Sequence, residues 1–125
     1  MNNKKEKKIL LVEDDPFLVD IYSTKLKESG YFVEVADEGE EALRKIKEKD
    51  FDLMLLDIVL PKVDGWDVLK QVKSEFKNLK VIIISNLSQK EEVAKGMNLG
   101  AEKYLIKAHY APSEVIKEIK EVLGD

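Results

Sequence analysis

The chain has 125 residues, 37% charged and 44% hydrophobic, with a net charge of −4 at pH 7. That length suits one domain with a real core and excludes two, and the acidic balance excludes a basic-faced binder of nucleic-acid backbone. With no cysteine, disulfides and thiolate metal sites are excluded too, and no apolar run approaches membrane-spanning length. The charged segment 1–8 is not followed by a signal-type apolar core, so a cytoplasmic protein without membrane insertion is expected.

Residues 1–7, with Lys4, Lys5 and Lys7 interrupted by Glu6, read as a flexible basic tail, and 8–125 as the folded domain. The continuous apolar run at 9–12 predicts a strand buried on both faces. After Pro16, Leu18, Ile21, Tyr22, Lys25 and Leu26 fall at helical spacing, and Gly30 is placed to end that helix. The run at 32–35 admits Glu34, which predicts an edge strand with one wet face. Asp37 and Glu40 have capping-box spacing ahead of Ala42, Leu43 and Ile46.

The run at 53–56 is apolar throughout and predicts a central strand. Pro61 and Asp64-Gly65 supply turn chemistry before a helix carrying Trp66, Val68, Leu69 and Val72 inward. Residues 81–84, β-branched and apolar, are the most strand-like stretch. Ser88 and Glu91 repeat the capping-box spacing, and Gly100 closes the fourth helix. A short strand at 104–106 follows, then Pro112 at a helix N1 position ahead of Val115, Ile116, Ile119 and Leu123.

Such alternation predicts an α/β fold: a doubly wound parallel sheet covered by helices on both faces, with right-handed crossovers. Apolar first, third and fourth strands against a mixed second strand fit the order 2-1-3-4-5. That order is taken from known five-stranded sheets of this kind rather than dictated by the pattern. It brings polar residues that follow the apolar runs to one sheet edge: Asp14 and Asp15, Asp57, Ser85 and Lys107. Carboxylates gathered there repel one another and call for a cation. Oxygen-only ligands select a hard ion, Mg²⁺ first. With a lysine and a hydroxyl alongside, the set has the parts to form an aspartyl phosphate.

The motifs Leu11-Val12-Glu13-Asp14-Asp15, Leu55-Leu56-Asp57 with Leu60-Pro61 and Asp64-Gly65, Ile84-Ser85, and Tyr104-Leu105-Ile106-Lys107 together resemble the receiver domain of two-component response regulators. The resemblance runs from Lys8 to about Leu123 and implies a flavodoxin-like (βα)5 fold. By it, Asp57 is the phosphoacceptor for a histidine kinase or histidine phosphotransfer protein. It makes Asp15 the direct Mg²⁺ ligand, with the Val59 backbone carbonyl, and Asp14 a second acid acting through metal-bound water. Lys107 pairs with Asp57 and then with the phosphate. Ser85 and Tyr104 form the switch that links the site to the face of the fourth helix, fifth strand and fifth helix. A downstream protein target, and a monomer or weak dimer through that face, are implied. Because the chain ends soon after the fifth helix, a stand-alone regulator is expected.

Two positions depart from the family pattern. Asn86 stands where a small residue is usual and either crowds access to Asp57 or hydrogen-bonds the phosphate. Ala108 replaces the usual proline after Lys107, and a trans peptide is expected there, since a cis bond to a non-proline residue costs about 2.5–4 kcal/mol. Val59 and Leu87 are apolar and cannot orient a hydrolytic water, which predicts slow self-dephosphorylation. His109 reads as an exposed loop residue, Met54 and Met97 as core or boundary residues, and Trp66 as packing near enough to report on metal. Other readings are a phosphorylation-independent interaction module, a flavin binder, or a Mg²⁺ phosphatase of the haloacid-dehalogenase type. The phosphatase would need an acid where Val59 stands. The flavin binder would need a phosphate cradle where Glu13, Asp14 and Asp15 stand.

Overall fold

A computed structural model describes residues 6–125; the expected tail residues Lys4 and Lys5 lie outside them. Five strands, β1 (Lys8–Val12), β2 (Phe32–Ala36), β3 (Leu53–Leu56), β4 (Lys80–Ser85) and β5 (Lys103–Ile106), alternate with five helices. The helices are α1 (Pro16–Glu28), α2 (Gly39–Glu48), α3 (Gly65–Glu75), α4 (Lys90–Asn98) and α5 (Pro112–Leu123). All strand pairs are parallel, in the order β2-β1-β3-β4-β5. The predicted doubly wound architecture is therefore the observed one.

The period-two alternation of the strands divides the core. Leu10, Val12, Met54, Leu56, Val81 and Ile83 face α2 and α3 through Ala42, Ile46, Val68, Leu69 and Val72. Ile9, Leu11, Leu53, Leu55, Ile82 and Ile84 face α1 and α5 through Tyr22, Leu26, Val115, Ile116 and Ile119. Both faces of the central strands are apolar because both are covered. β2 lies at the edge as expected, and its Glu34 is paired with Lys45 and Lys49 of the α2 segment.

Gly30 and Gly100 follow α1 and α4 with φ of 93° and 107°, the left-handed conformation that ends a helix without a Cβ clash. Two caps differ from expectation. The N-cap of α2 is Glu38, and Glu41 rather than Glu40 reaches back, accepting from the Asp37 N–H at 3.0 Å. At α4 the N-cap is Gln89, whose N–H donates to Glu92 at 3.0 Å, in place of the Ser88–Glu91 pair. Adjacent glutamates stand at both boundaries, so the spacing rule had two solutions; burial of Ala42 and Ile46 in α2, and of Gly96 in α4, sets each helix's register.

At the opposite end of the sheet from the loops bearing Asp57 and Lys107, the last described residues are tied down. Lys7 Nζ donates to the Leu123 carbonyl at 2.6 Å and to Asp125 at 2.8 Å, while the Tyr31 hydroxyl donates to Asp125 at 2.7 Å. Lys7, read as tail, is thus part of a clasp between the start of β1 and the end of α5. Burial, and then the hydrogen bond to Asp125, hold the Tyr31 phenol far above its ordinary range. A raised pKa contributes stability that is complete below the unfolded value, about 10, and is lost as pH rises beyond it. Tyr31→Phe should cost about 1 kcal/mol at neutral pH. It should also flatten the fall in urea midpoint above pH ~10 relative to the parent, as measured by denaturation across that range.

Candidate functional site

The register of the sheet decides which side chains meet. Val12 pairs with Leu56, so the residues that follow them, Glu13 and Asp57, emerge level on adjacent strands. The Asp57 N–H still donates to the Val12 carbonyl at 3.0 Å, extending the ladder one step past β3. Ser85 closes β4 and Lys107 follows β5. Among the described residues, Glu13, Asp57 and Ser85 are the buried polar ones, exposed 1%, 4% and 0%.

Asp57 is held through both oxygens: Oδ1 accepts from the Val59 N–H at 3.2 Å, and Oδ2 lies 2.9 Å from Lys107 Nζ. The same ammonium sits 2.8 Å from Glu13 Oε1. Glu13 Oε2 accepts from the Asp15 N–H at 3.1 Å. Oε1 is buried, and the Lys107 ammonium is the partner that compensates its charge. Burial raises the Glu13 carboxyl above its ordinary range, with the Asp57 charge adding to the effect and Lys107 opposing it. Burial works against the Lys107 ammonium, yet its bonds to Glu13 and Asp57 outweigh that and hold it above the usual lysine range.

Glu13, Asp14 and Asp57 each offer a carboxylate oxygen within 4.8 Å of the others. Asp15, expected as the direct metal ligand, is elsewhere: its carboxylate caps α1, accepting from Phe17 N–H at 2.9 Å and Leu18 N–H at 3.4 Å. A helix-start aspartate is claimed by the orphan amides of the first turn. Glu13 takes its place in the acid group, a residue the sequence pattern passed over. The signal was available: Glu13, Asp57 and Lys107 are each the first residue after an apolar run, and Asp14 and Asp15 are not.

Ser85 Oγ accepts from the Leu87 N–H at 3.1 Å, and the Leu87 carbonyl accepts from the Tyr104 hydroxyl at 2.7 Å. Burial raises the Tyr104 phenol above its ordinary range. The switch pair of the sequence analysis is therefore in contact, through Leu87. Asn86 and Val59 are exposed at the rim, Val59 by 58%. All peptides of the described residues are trans, including Lys107–Ala108, and Lys107–His109 forms a short 3₁₀ turn. His109 is exposed as expected, and Met54 is core while Met97 is a surface residue.

Gly65 fixes how closely the start of α3 packs on the segment that follows Asp57. A Cβ there would collide with Ile58 Cα and meet the Asp57 carbonyl at 2.7 Å. The Gly65 N–H donates to the Ile58 carbonyl at 2.8 Å, so α3 begins hard against the end of β3. Three carboxylates against one ammonium leave net negative charge, which a hard divalent cation would balance.

A family profile described as response regulator receiver domain matches residues 9–120. The chain belongs to that family. A receiver domain described as CheY-like, from Methanospirillum hungatei JF-1, is 32% identical, covers 96% of this chain and 95% of its own, and superposes with a TM-score of 0.90. The receiver domain of DrrB, in a structure described as BeF3 activated, is 29% identical with a TM-score of 0.87, covering 97% and 100%. Among curated relatives, the alkaline phosphatase synthesis transcriptional regulatory protein PhoP of Bacillus subtilis (strain 168) is 36% identical over 94% of this chain and 48% of its own length. The probable transcriptional regulatory protein SilR of Salmonella typhimurium is 36% identical over 93% and 50%. The chain spans about half the length of these curated relatives. It is the receiver domain of a two-component response regulator, a signalling domain of the kind that interacts with histidine kinases and phosphotransfer proteins. No helix of the described residues is long and apolar enough to cross a membrane.

The two neighbouring aspartates separate cleanly by experiment. Asp14→Asn should lower Mg²⁺ affinity by roughly tenfold or more, read by titration calorimetry. Asp15→Ala should cost about 1 kcal/mol of folding stability through the lost cap and leave Mg²⁺ affinity nearly unchanged.

Proposed function

We propose that this receiver domain takes a phosphoryl group onto Asp57 from a phosphohistidine on a histidine kinase or phosphotransfer protein, with Mg²⁺ held by Glu13, Asp14, Asp57 and the Val59 carbonyl. The phosphorylated domain then presents an altered face of α4, β5 and α5 to a protein target. The observation that carries this reading is the Asp57 carboxylate itself: buried, oriented through both oxygens, and paired with a lysine inside an acid group. Mg²⁺ at that group would neutralise charge on the carboxylates and on the incoming phosphoryl oxygens.

The chain's own residues supply the rest. An Asp57 oxygen attacks phosphorus; the O–P bond forms as the P–N bond to the donor imidazole breaks, and the imidazole leaves with the electron pair. Lys107 follows the charge from carboxylate to phosphoryl oxygen, leaving its second partner, Glu13, in place. Ser85 donates its hydroxyl proton to another phosphoryl oxygen, which favours the arrangement in which Leu87 joins Ser85 to Tyr104. The domain assists its own phosphorylation but does not turn over phosphoesters, because Val59 offers no general acid. Its net charge of −4 argues against direct contact with nucleic acid, and a cytoplasmic location suits a domain that meets a kinase.

Incubation with acetyl phosphate and Mg²⁺ should add one phosphoryl group to the parent by intact mass and none to Asp57→Ala. A parent that stays unmodified with both acetyl phosphate and a histidine kinase would sink the reading; modification by the kinase alone would mark Asn86 as the gate. The aspartyl phosphate should persist for minutes or longer, and Val59→Asn, which adds an amide able to orient water, should shorten its lifetime.

A further inference from the structure

α3 and α4 are anchored very differently. α3 starts against the Asp57 strand end through Gly65, whereas α4 has nine residues of which only Gly96 is buried. A glycine inside a helix weakens it relative to alanine, so tertiary contacts decide where α4 sits. One is at Gly96 itself, where a Cβ would lie 2.6 Å from Ile83 Cδ1 and 2.8 Å from the Tyr104 ring. The other is Lys95, whose ammonium stands 4.5 Å from the centre of the Trp66 ring at the head of α3.

At Gly96 the backbone of α4 packs directly on the Tyr104 ring, so the position of α4 bounds the space the ring can occupy. Tyr104 in turn is bonded to Leu87, and Leu87 to Ser85, at the strand end beside Asp57. A phosphoryl group that engages Ser85 and a cation that engages Trp66 therefore act on one connected element from its two ends. We propose that Lys95 on Trp66 is a latch that holds α4 where Tyr104 can stay bonded to Leu87, and that it thereby raises the affinity of the Asp57 site for a phosphoryl group. This rests on Asp57 being the phosphoacceptor. By linkage, an interaction that favours the arrangement the phosphoryl group engages is repaid as tighter binding of that group.

The test is calorimetric titration of beryllofluoride, the group carried by the BeF3-activated receiver of DrrB, at fixed Mg²⁺. Lys95→Met keeps the aliphatic stem and should raise Kd about two- to fivefold, the fold-change of an exposed cation–π contact. Lys95→Arg should restore the parent Kd. In a Trp66→Leu background, Lys95→Met should have no further effect. An unchanged Kd for Lys95→Met, or an equal loss without the indole, overturns the latch while leaving the phosphoacceptor assignment intact. A parent that binds beryllofluoride no better than Asp57→Ala overturns both.

Discussion

One ammonium shared between two buried carboxylates holds the functional edge of this sheet together. Glu13 and Asp57 emerge from adjacent strands where burial penalises each charge and proximity penalises both. Lys107, arriving from the end of β5, compensates them at 2.8 and 2.9 Å. The strand order sets the length of that reach, since β5 lies beyond β4 and the lysine crosses it to the β1–β3 junction. A buried pair of this sort adds little net stability against an apolar replacement. It specifies instead a charged site whose charge count is one cation short, and so is prepared for chemistry rather than for rigidity.

Around that site the backbone is drawn in wherever a side chain is missing. Gly39 brings the head of α2 within 2.6 Å, at a virtual Cβ, of the Val63 carbonyl, and Gly65 does the same for α3 at the end of β3. Lys62 lies between them with φ of 64°, the one non-glycine in left-handed conformation among the described residues, and its amine reaches Glu38 at 3.2 Å. The loop that carries Asp57 is thus fixed at several points. On the same face of the sheet α4 rests on a single buried glycine. A rigid acceptor beside a lightly held helix is the mechanical arrangement a switch requires.

Much of this was legible from residue order. Apolar runs without interruption marked β1, β3 and β4 as central, Glu34 marked β2 as an edge, and Gly30, Gly100 and Pro112 placed helix boundaries. The strand order was not dictated by the pattern, because each crossover permits more than one neighbour, and it came from resemblance. The acid group was off by one residue. Three consecutive acids compete for the sheet edge and the helix cap; first place after the apolar run marks Glu13, and the pairing of Val12 with Leu56 sets it level with Asp57 while Asp15 caps α1. The same ambiguity shifted the caps of α2 and α4, where neighbouring glutamates compete. Contacts between distant surfaces, Lys95 over Trp66 and Lys7 on Asp125, have no local signature at all.

The site draws its side chains from the ends of β1, β3, β4 and β5, and neither of the Lys107 ion pairs is local in sequence. It comes into being only when four strands are docked in register, since a slip of one residue turns every side chain to the opposite face. Parallel strands separated by helices assemble late and together, as all their contacts are long-range. Competence to hold a cation or a phosphoryl group is therefore a property of the finished sheet. Any ligand that binds there stabilises the whole domain by mass action, so in the cell occupancy of the site and survival of the fold rise and fall together.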